Sequence, residues 1–176
     1  MTATTTDGRP TGDVGSAAVR RRVLAVAVGL GVLAACWWGT HPRAFQGPGS
    51  EVSGPGTVGE PVYFGLAVVP GDIHLTDATA RVLLDSTDAD VDVLVCRLAD
   101  VHLGPGVVGP DDLESICRSV GHPTGPADDP DHLVLEVVPW STGVVVVEGL
   151  DVTYRTTLQW GTQTTGMTAT VVVEAP

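Results

Sequence analysis

Three cysteines are the residues of this 176-residue chain with the most definite chemistry. Cys96 and Cys117 lie 21 positions apart in the second half, whereas Cys36 lies in an apolar run near the N-terminus. In an oxidising compartment the even pair predicts a disulfide, which closes about 20 residues and contributes on the order of 3 kcal/mol. Two separately buried thiols are the alternative. A metal site is disfavoured because no CxxC pair or suitably spaced histidine accompanies the cysteines.

Two clusters of acidic residues raise the question of calcium binding. Asp88, Asp90 and Asp92 resemble the start of a calcium loop, but the glycine and closing glutamate are missing at the offsets that such a loop needs. The second cluster lies in the stretch PADDPDH, residues 126–132. We interpret both clusters as solvated strand or turn positions, and we predict neither a metal nor a cofactor.

The five histidines are dispersed, and no known catalytic motif accompanies them. The sequence contains no GxSxG elbow, no HExxH and no phosphate-binding loop. We therefore predict a protein without catalytic residues. The alternative is an enzyme acting on an envelope component, with a site assembled in space from distant residues. Its candidate residues are His102, His122, Asp131 and His132.

Charge is distributed unevenly along the chain, which has a net charge of −12. Residues 1–22 contain four arginines and two acids, for +2, whereas five arginines and 19 acids follow residue 38, for −14. An acidic body of this kind repels phosphate backbones, so nucleic-acid binding is not expected.

An apolar run near the N-terminus must position everything that follows it. The stretch RRRVLAVAVGLGVLAACWWGT, residues 20–40, has 16 uncharged residues from Val23 to Trp38. As a helix these would rise roughly 24 Å, and flanking arginines and tryptophans extend the reach at both interfaces. We therefore predict a transmembrane anchor over residues 20–39. Because the arginines precede the run, the N-terminus is expected in the cytoplasm and the C-terminal domain outside the cell membrane.

The same stretch allows a second interpretation. Leu33-Ala34-Ala35-Cys36 fits the bacterial lipobox, in which the cysteine is lipidated after cleavage, and Arg20-Arg21 faintly resembles a twin-arginine export signal. The long leader and the bulky Trp37-Trp38 pair favour a retained helix instead. A lipoprotein anchored through Cys36 and simple cleavage remain the alternatives.

Two segments are predicted to lack a core. Residues 1–19 are poor in bulky apolar residues and read as a disordered cytoplasmic tail. Residues 40–59 are rich in Gly and Pro and read as an extended, mobile linker.

The remaining residues, 60–176, alternate between apolar and polar positions and predict an all-β domain. Strands are expected at residues 61–69, 78–85, 90–98, 132–138, 143–149, 150–160 and 167–174, with WGTQTTG as a hairpin connection. Their number and spacing favour an immunoglobulin-like antiparallel β-sandwich. Val93 and Val152 are expected to face its core.

One short helix is predicted inside the insertion at residues 99–131. Asp111 and Glu114 can form a capping box, and an apolar stripe follows that turns Cys117 toward the body. The stripe consists of Leu113, Ile116, Cys117 and Val120.

The anchor ending in CWWGTHPRAF and the C-terminal GLDVTYRTTLQWGTQTTGMTATVVV resemble small membrane-anchored proteins of unknown function from actinobacterial genomes. The resemblance implies a location and no site residues. We therefore expect a tethered extracytoplasmic module that binds a protein or small ligand, with residues 99–131 as the contact surface. An envelope enzyme or a sensor signalling through the span are the alternatives.

Overall fold

The computed structural model describes residues 14–47, 49–99, 106–127 and 131–175, and the chain divides into two units between Trp38 and Gly39. The described part of the first unit lies in one helix, α1, Val14–Gly39, whose last residue belongs to the second unit. Its part Val19–Gly39 is long and apolar enough to cross a membrane, with a mean hydropathy of 1.7. The large apolar side chains from Val19 to Trp38 are each more than half exposed. The helix begins before the arginines, so residues 14–19 of the predicted disordered tail are helical, and residues 1–13 lie outside the described part.

Within the described residues, the second unit contains eleven strands and one short helix, α2, Pro110–Ile116. The strands are β1 (Glu51–Gly56), β2 (Val62–Val68), β3 (His74–Asp85), β4 (Asp90–Leu98), β5 (Val107–Val108), β6 (Cys117–Gly121), β7 (Gly125–Pro126), β8 (His132–Val138), β9 (Gly143–Arg155), β10 (Trp160–Thr165) and β11 (Thr168–Val173).

These strands form two sheets. One has the order β1-β11-β9-β3-β7, with β10 also paired to β9, and the other has the order β5-β2-β8-β4-β6. The predicted β-rich architecture is confirmed at this level. The expectation of purely antiparallel sheets is wrong at one place, because β1 runs parallel to β11. These two strands lie far apart in sequence, so no hairpin imposes an antiparallel direction on them.

Inward-facing residues of both sheets form one apolar core. Phe64 of β2 and Leu135 of β8 meet Leu150 and Val152 of β9 there, all four without measurable exposure. Val93 and Val152 are buried as predicted, at 7% and 0% exposure. The period-two alternation of the sequence therefore identified the core face of β4 and β9.

Two of the predicted strands, 61–69 and 78–85, do not alternate regularly between their faces, because the pairing register shifts. In β2 a shift between Gly65 and Ala67 turns Val68 outward, where it is 54% exposed, and Val69 inward. In β3 shifts after Ala80 and Val82 leave Val82 and Leu84 on the surface, although strict alternation would place them on the same face as the buried Ala78. An extra residue in a strand reverses every later side chain, and alternation alone does not show where it lies.

The segment predicted as a mobile linker contributes to the folded unit. Glu51–Gly56 is strand β1, and Phe45 is a buried member of the inter-sheet core. The expectation that residues 40–59 add nothing to a core is therefore wrong. This stretch contains one aromatic residue, and its strand pairs only with a strand that is distant in sequence. Its Gly/Pro-rich sequence therefore shows no clear alternation of apolar and polar residues.

The C-terminal third was predicted with the wrong strand divisions. Residues 143–155 form one strand rather than two, and the predicted connection WGTQTTG contains strand β10. Gly149 has φ of +116°, and a Cβ there would lie 2.6 Å from the Thr165 carbonyl oxygen. Glycine therefore permits the irregular backbone at which β9 passes from pairing with β11 to pairing with β10.

Helix α2 forms where predicted, but its cap and its end differ. The N-cap is Gly109, with no side-chain cap bond, so the capping box of Asp111 and Glu114 is wrong. The helix ends at Ile116 and β6 begins at Cys117, so Val120 lies on a strand, 41% exposed. Pro110 at the first helical position begins the helix without a side-chain cap.

Candidate functional site

The cysteine pair is the predicted site that the structure brings together. Cys96 lies on β4 and Cys117 follows α2, and their sulfur atoms lie at bonding distance, 2.03 Å, with the Cα atoms 5.4 Å apart. Both residues are buried. The backbone N–H of Cys117 donates to the Leu113 carbonyl at the end of α2, and β6 then pairs with β4. The end of the helix thus sets the second cysteine beside the first.

A small apolar cluster surrounds the pair on the outer face of the sheet that contains β4. We call it the outer cluster; its buried members are Tyr63, Cys96, Leu98, Leu113, Cys117 and Val134. The Tyr63 hydroxyl donates to Glu136 Oε1 at 2.6 Å. Burial, together with this bond and the charge of Glu136, raises the pKa of Tyr63 to about 12. The phenol therefore stays neutral across the physiological range.

The turn that contains the first residue of the Asp88, Asp90 and Asp92 cluster is held by another carboxylate, that of Asp85. Asp85 accepts hydrogen bonds from the backbone N–H groups of Thr87 and Ala89, at 2.8 and 2.9 Å, and from the Thr87 hydroxyl. Burial would raise the pKa of Asp85, but these hydrogen bonds outweigh it and lower the pKa. The carboxylate therefore stabilises the β3–β4 turn.

Asp90, the second acid of that cluster, accepts a hydrogen bond from the Trp140 indole at 3.0 Å. Across the described ranges, no group of three or more His, Cys, Asp or Glu residues is placed to hold a metal ion.

The residues proposed for an enzymatic site separate into two places. Asp131 and His122 line one depression of about 140 Å³ together with Arg97, whose Nε lies 3.9 Å from Asp131 Oδ2. His132 lines a different groove, beside Val68 and Met167. His102 lies outside the described residues, as do Asp128 and Asp129 of the second acidic cluster.

The local electrostatics of these groups also differ. The Asp131 side chain is only 6% exposed, beside the half-exposed Arg97. Burial lowers the pKa of His132, against the opposing charge of Asp131. His132 and the Arg97–Asp131 pair line separate depressions, so the structure does not gather these candidates around one reacting proton.

Sequence reasoning missed a polar latch that ties the supposed linker to the sheet. The Ala44 N–H donates to the Tyr154 hydroxyl at 2.7 Å, and that hydroxyl donates to Gln163 Oε1 at 2.8 Å. Gln163 Nε2 donates to the Phe45 carbonyl at 2.7 Å, and the Phe45 ring packs edge-on against Tyr154, with centroids 5.2 Å apart. The sequence contained one signal of this arrangement, since Phe45 is the one Phe, Tyr or Trp residue of the Gly/Pro-rich stretch.

The latch brings the start of the second unit against the β9–β10 hairpin. A Cβ atom on Gly161 would lie 3.0 Å from both the Thr40 carbonyl oxygen and Pro42 Cδ. Gly39 is buried, and a Cβ there would lie 3.7 Å from the Trp160 ring. The absence of a side chain at Gly161 therefore permits residues 40–42 to pass across β10.

The tip of that hairpin is ordered and apolar. The Thr156 N–H donates to the Gln159 carbonyl at 2.7 Å, and the Thr156 hydroxyl accepts from the N–H groups of Leu158 and Gln159. Leu158 and Trp160 are 67% and 61% exposed. The turn therefore holds two large apolar side chains on the surface.

No protein-family model matches the chain, and comparisons with curated proteins and with solved structures found no match.

Proposed function

We propose that this protein is a single-pass membrane protein whose helix α1 holds an immunoglobulin-like module outside the cell membrane, where the module binds a protein or small ligand. The observation that carries the proposal is the exposed apolar surface of α1. Each apolar CH₂ group removed from water gains about 0.8 kcal/mol, so a helix that exposes so many is most stable in lipid.

The orientation follows from the arginines. Arg20, Arg21 and Arg22 precede the apolar run, and no arginine or lysine occurs between Val23 and Trp38. The positive-inside rule then assigns the residues before the span to the cytoplasm and the β-rich unit to the outside. An oxidised Cys96–Cys117 pair agrees with that compartment, because disulfides persist outside the reducing cytosol.

The strand order supports an immunoglobulin-like module. We letter seven strands A to G in chain order, namely β1, β2, β3, β4, β8, β9 and β11, and omit β5, β6, β7 and β10. One sheet then contains B, E and D, and the other contains A, G, F and C. Immunoglobulin-like domains separate B, E and D from C, F and G in the same way. Here the cysteine pair lies at strand D and the insertion, rather than between strands B and F.

The connection from β4 to β8, residues 99–131, is the proposed contact surface. Its helix α2 exposes Asp111, Asp112 and Glu114, and β6 exposes Arg118 and Val120 beside them. Charged side chains around a partly exposed apolar residue on a rigid support suit recognition of a protein partner. In this proposal the module needs neither a cofactor nor catalytic residues.

Intact mass of the membrane-extracted protein tests the anchor. A retained span leaves α1 in the product, whereas processing at Cys36 removes residues 1–35 and adds lipid. We expect α1 to be retained and the mass to change only by the substitution in the matched variant Cys36→Ala. A shorter, acylated product that disappears in Cys36→Ala would establish the lipoprotein alternative instead.

Site-specific crosslinking tests the contact surface. A photoreactive residue in place of Asp112 should capture one defined partner in intact cells, whereas the same residue in place of Val172, on the exposed face of β11, should not. The captured partner should bind the purified full chain, and Asp111→Arg/Glu114→Arg should weaken that binding. Equal capture from both positions would contradict the assigned surface.

A further inference from the structure

Leu158 and Trp160, with residues 39–42 of the same unit, form a surface that the proposed binding function does not use. We call it the hairpin surface. A Cβ atom on Gly39 would lie 3.7 Å from the Trp160 ring and 3.9 Å from the Leu158 carbonyl oxygen, so Gly39 is close to both residues. Gly39 is both the last residue of the candidate span and a neighbour of the hairpin surface.

The latch also holds the residues that follow Gly39 in the chain. Ala44 and Phe45 are bound through Tyr154 and Gln163, and the Thr165 hydroxyl donates to the Gln46 carbonyl at 2.6 Å. Residues 39–46 are therefore bound to the β9–β10 hairpin rather than free to act as a flexible spacer. Gly39, the first residue of the β-rich unit, therefore lies beside Trp160 within that unit.

Charge separates this region from the rest of the unit. Residues 39–50 and 155–167 contain Arg43 and Arg155 and no acidic residue, although 19 acids occur after residue 38. Arg155 pairs directly with Trp160 across the two strands. Exposed tryptophan beside arginine is the composition found where proteins meet phospholipid headgroups, since the indole is amphipathic and the guanidinium binds phosphate.

We propose that the hairpin surface rests on the outer leaflet of the membrane that α1 spans, with Leu158 and Trp160 among the lipid headgroups. The β-rich unit is then docked on the bilayer instead of being suspended above it. This inference rests on the proposed retention of α1 as a membrane span.

Trp140 provides an internal comparison for the test. It precedes the first residue of β9, whereas Trp160 pairs with the last, and a strand of 13 residues is roughly 40 Å long. Trp140 is also exposed, at 54%, but its indole donates to Asp90. The two tryptophans therefore report on opposite ends of the unit.

The experiment uses the full chain reconstituted in vesicles of phosphatidylcholine and phosphatidylglycerol. One variant keeps only Trp160, through Trp37→Phe, Trp38→Phe and Trp140→Phe, and its control keeps only Trp140. We expect lipids brominated near the headgroup to quench Trp160 and aqueous acrylamide to quench Trp140, with a blue-shifted emission for Trp160 alone. Equal quenching of the two reporters by brominated lipid would overturn the inference.

Alkaline carbonate extraction separates this inference from the anchor proposal. If the protein leaves the vesicles, the anchor proposal fails and the docked hairpin fails with it. If the protein stays but Trp160 is quenched no more than Trp140, only the hairpin inference fails.

If the tryptophan variants do not fold, a nitroxide label at Leu158→Cys in a Cys36→Ala background replaces them. We expect this label to be more accessible to lipid-soluble oxygen than to an aqueous nickel complex, and a label at Val172→Cys to show the reverse. Equal accessibility of both labels to the nickel complex would overturn the inference.

Discussion

The inter-sheet core and the outer cluster are two apolar regions on opposite faces of the same sheet, and they are held together by different means. Strand β8 contributes to both, since Leu133 and Leu135 face the core whereas Val134 faces the outer cluster. The core draws buried residues from both sheets. The outer cluster has six buried members among the described residues, and two of them are the paired cysteines.

This difference explains how the domain stabilises the short helix α2. Burial of a Val or Leu side chain contributes about 1.5–3 kcal/mol, and the core contains many such residues. The outer cluster must fix α2, a helix of seven residues that is far too short to be stable alone, with Leu113 as its buried member. The Cys96–Cys117 pair, whose sulfur atoms lie at bonding distance, is placed to supply the constraint that so small an apolar area does not.

The largest expected effect is on the core. Val152→Asp places a carboxylate where the side chain has no exposure, and we expect a loss of more than about 4 kcal/mol in the free energy of unfolding. The control Val172→Asp, at a 40% exposed position of β11, should change it by less than about 1 kcal/mol. Urea unfolding of the full chain in detergent, followed by circular dichroism, measures both. Similar losses in the two variants would show that β9 does not face the core.

Removal of the cysteine pair should have the next largest effect. Cys96→Ala/Cys117→Ala is expected to lower the free energy of unfolding by about 3 kcal/mol, because the bridge no longer restricts the unfolded chain. Cys36→Ala should leave the free energy unchanged. If dithiothreitol destabilises the wild-type chain as little as it destabilises the double variant, the pair is not oxidised and the comparison between the two regions fails.

A smaller effect is expected at the latch. Tyr154→Phe keeps the buried ring but removes the hydroxyl that binds Ala44 and Gln163, so we expect a loss of about 1–2 kcal/mol. Hydrogen exchange of residues 44–46 should increase at the same time. Thr153→Val, which removes the hydroxyl of a partly buried residue in the same strand, one that bonds Thr162 and not the latch, serves as the control. Unchanged protection at Ala44 would show that the lead-in to β1 is held by packing alone.

The smallest effect at neutral pH is expected at Tyr63 of the outer cluster. Its pKa in the folded state is about 12, above the value of about 10 in the unfolded chain. Its contribution to stability is therefore fully present below pH 10 and is lost as the pH rises from about 10 to 12. Tyr63→Phe, in a Cys36→Ala background that prevents thiol exchange, should show a weaker alkaline loss than the background alone. Parallel pH profiles would place Tyr63 in water rather than in the cluster.

Local patterns predicted a good part of the fold. The strands 62–68, 90–98 and 132–138, the inward positions Val93 and Val152, and the burial of Cys117 all follow from side-chain period, which depends only on neighbouring residues. The apolar length of α1 also follows from composition. The cysteine pairing was predictable because one even pair remained outside the apolar run.

The tertiary structure alone decided the rest. The parallel pairing of β1 with β11, the latch through Tyr154, and the placement of Leu158 and Trp160 beside Gly39 join residues more than 100 positions apart. Such contacts depend on which backbone groups remain to be paired once the sheets are assembled. The alternation of apolar and polar residues along one strand does not contain this information. The sequence by itself therefore determined the strands, the apolar helix and one core face, whereas long-range hydrogen bonding decided that the Gly/Pro-rich stretch belongs to the domain.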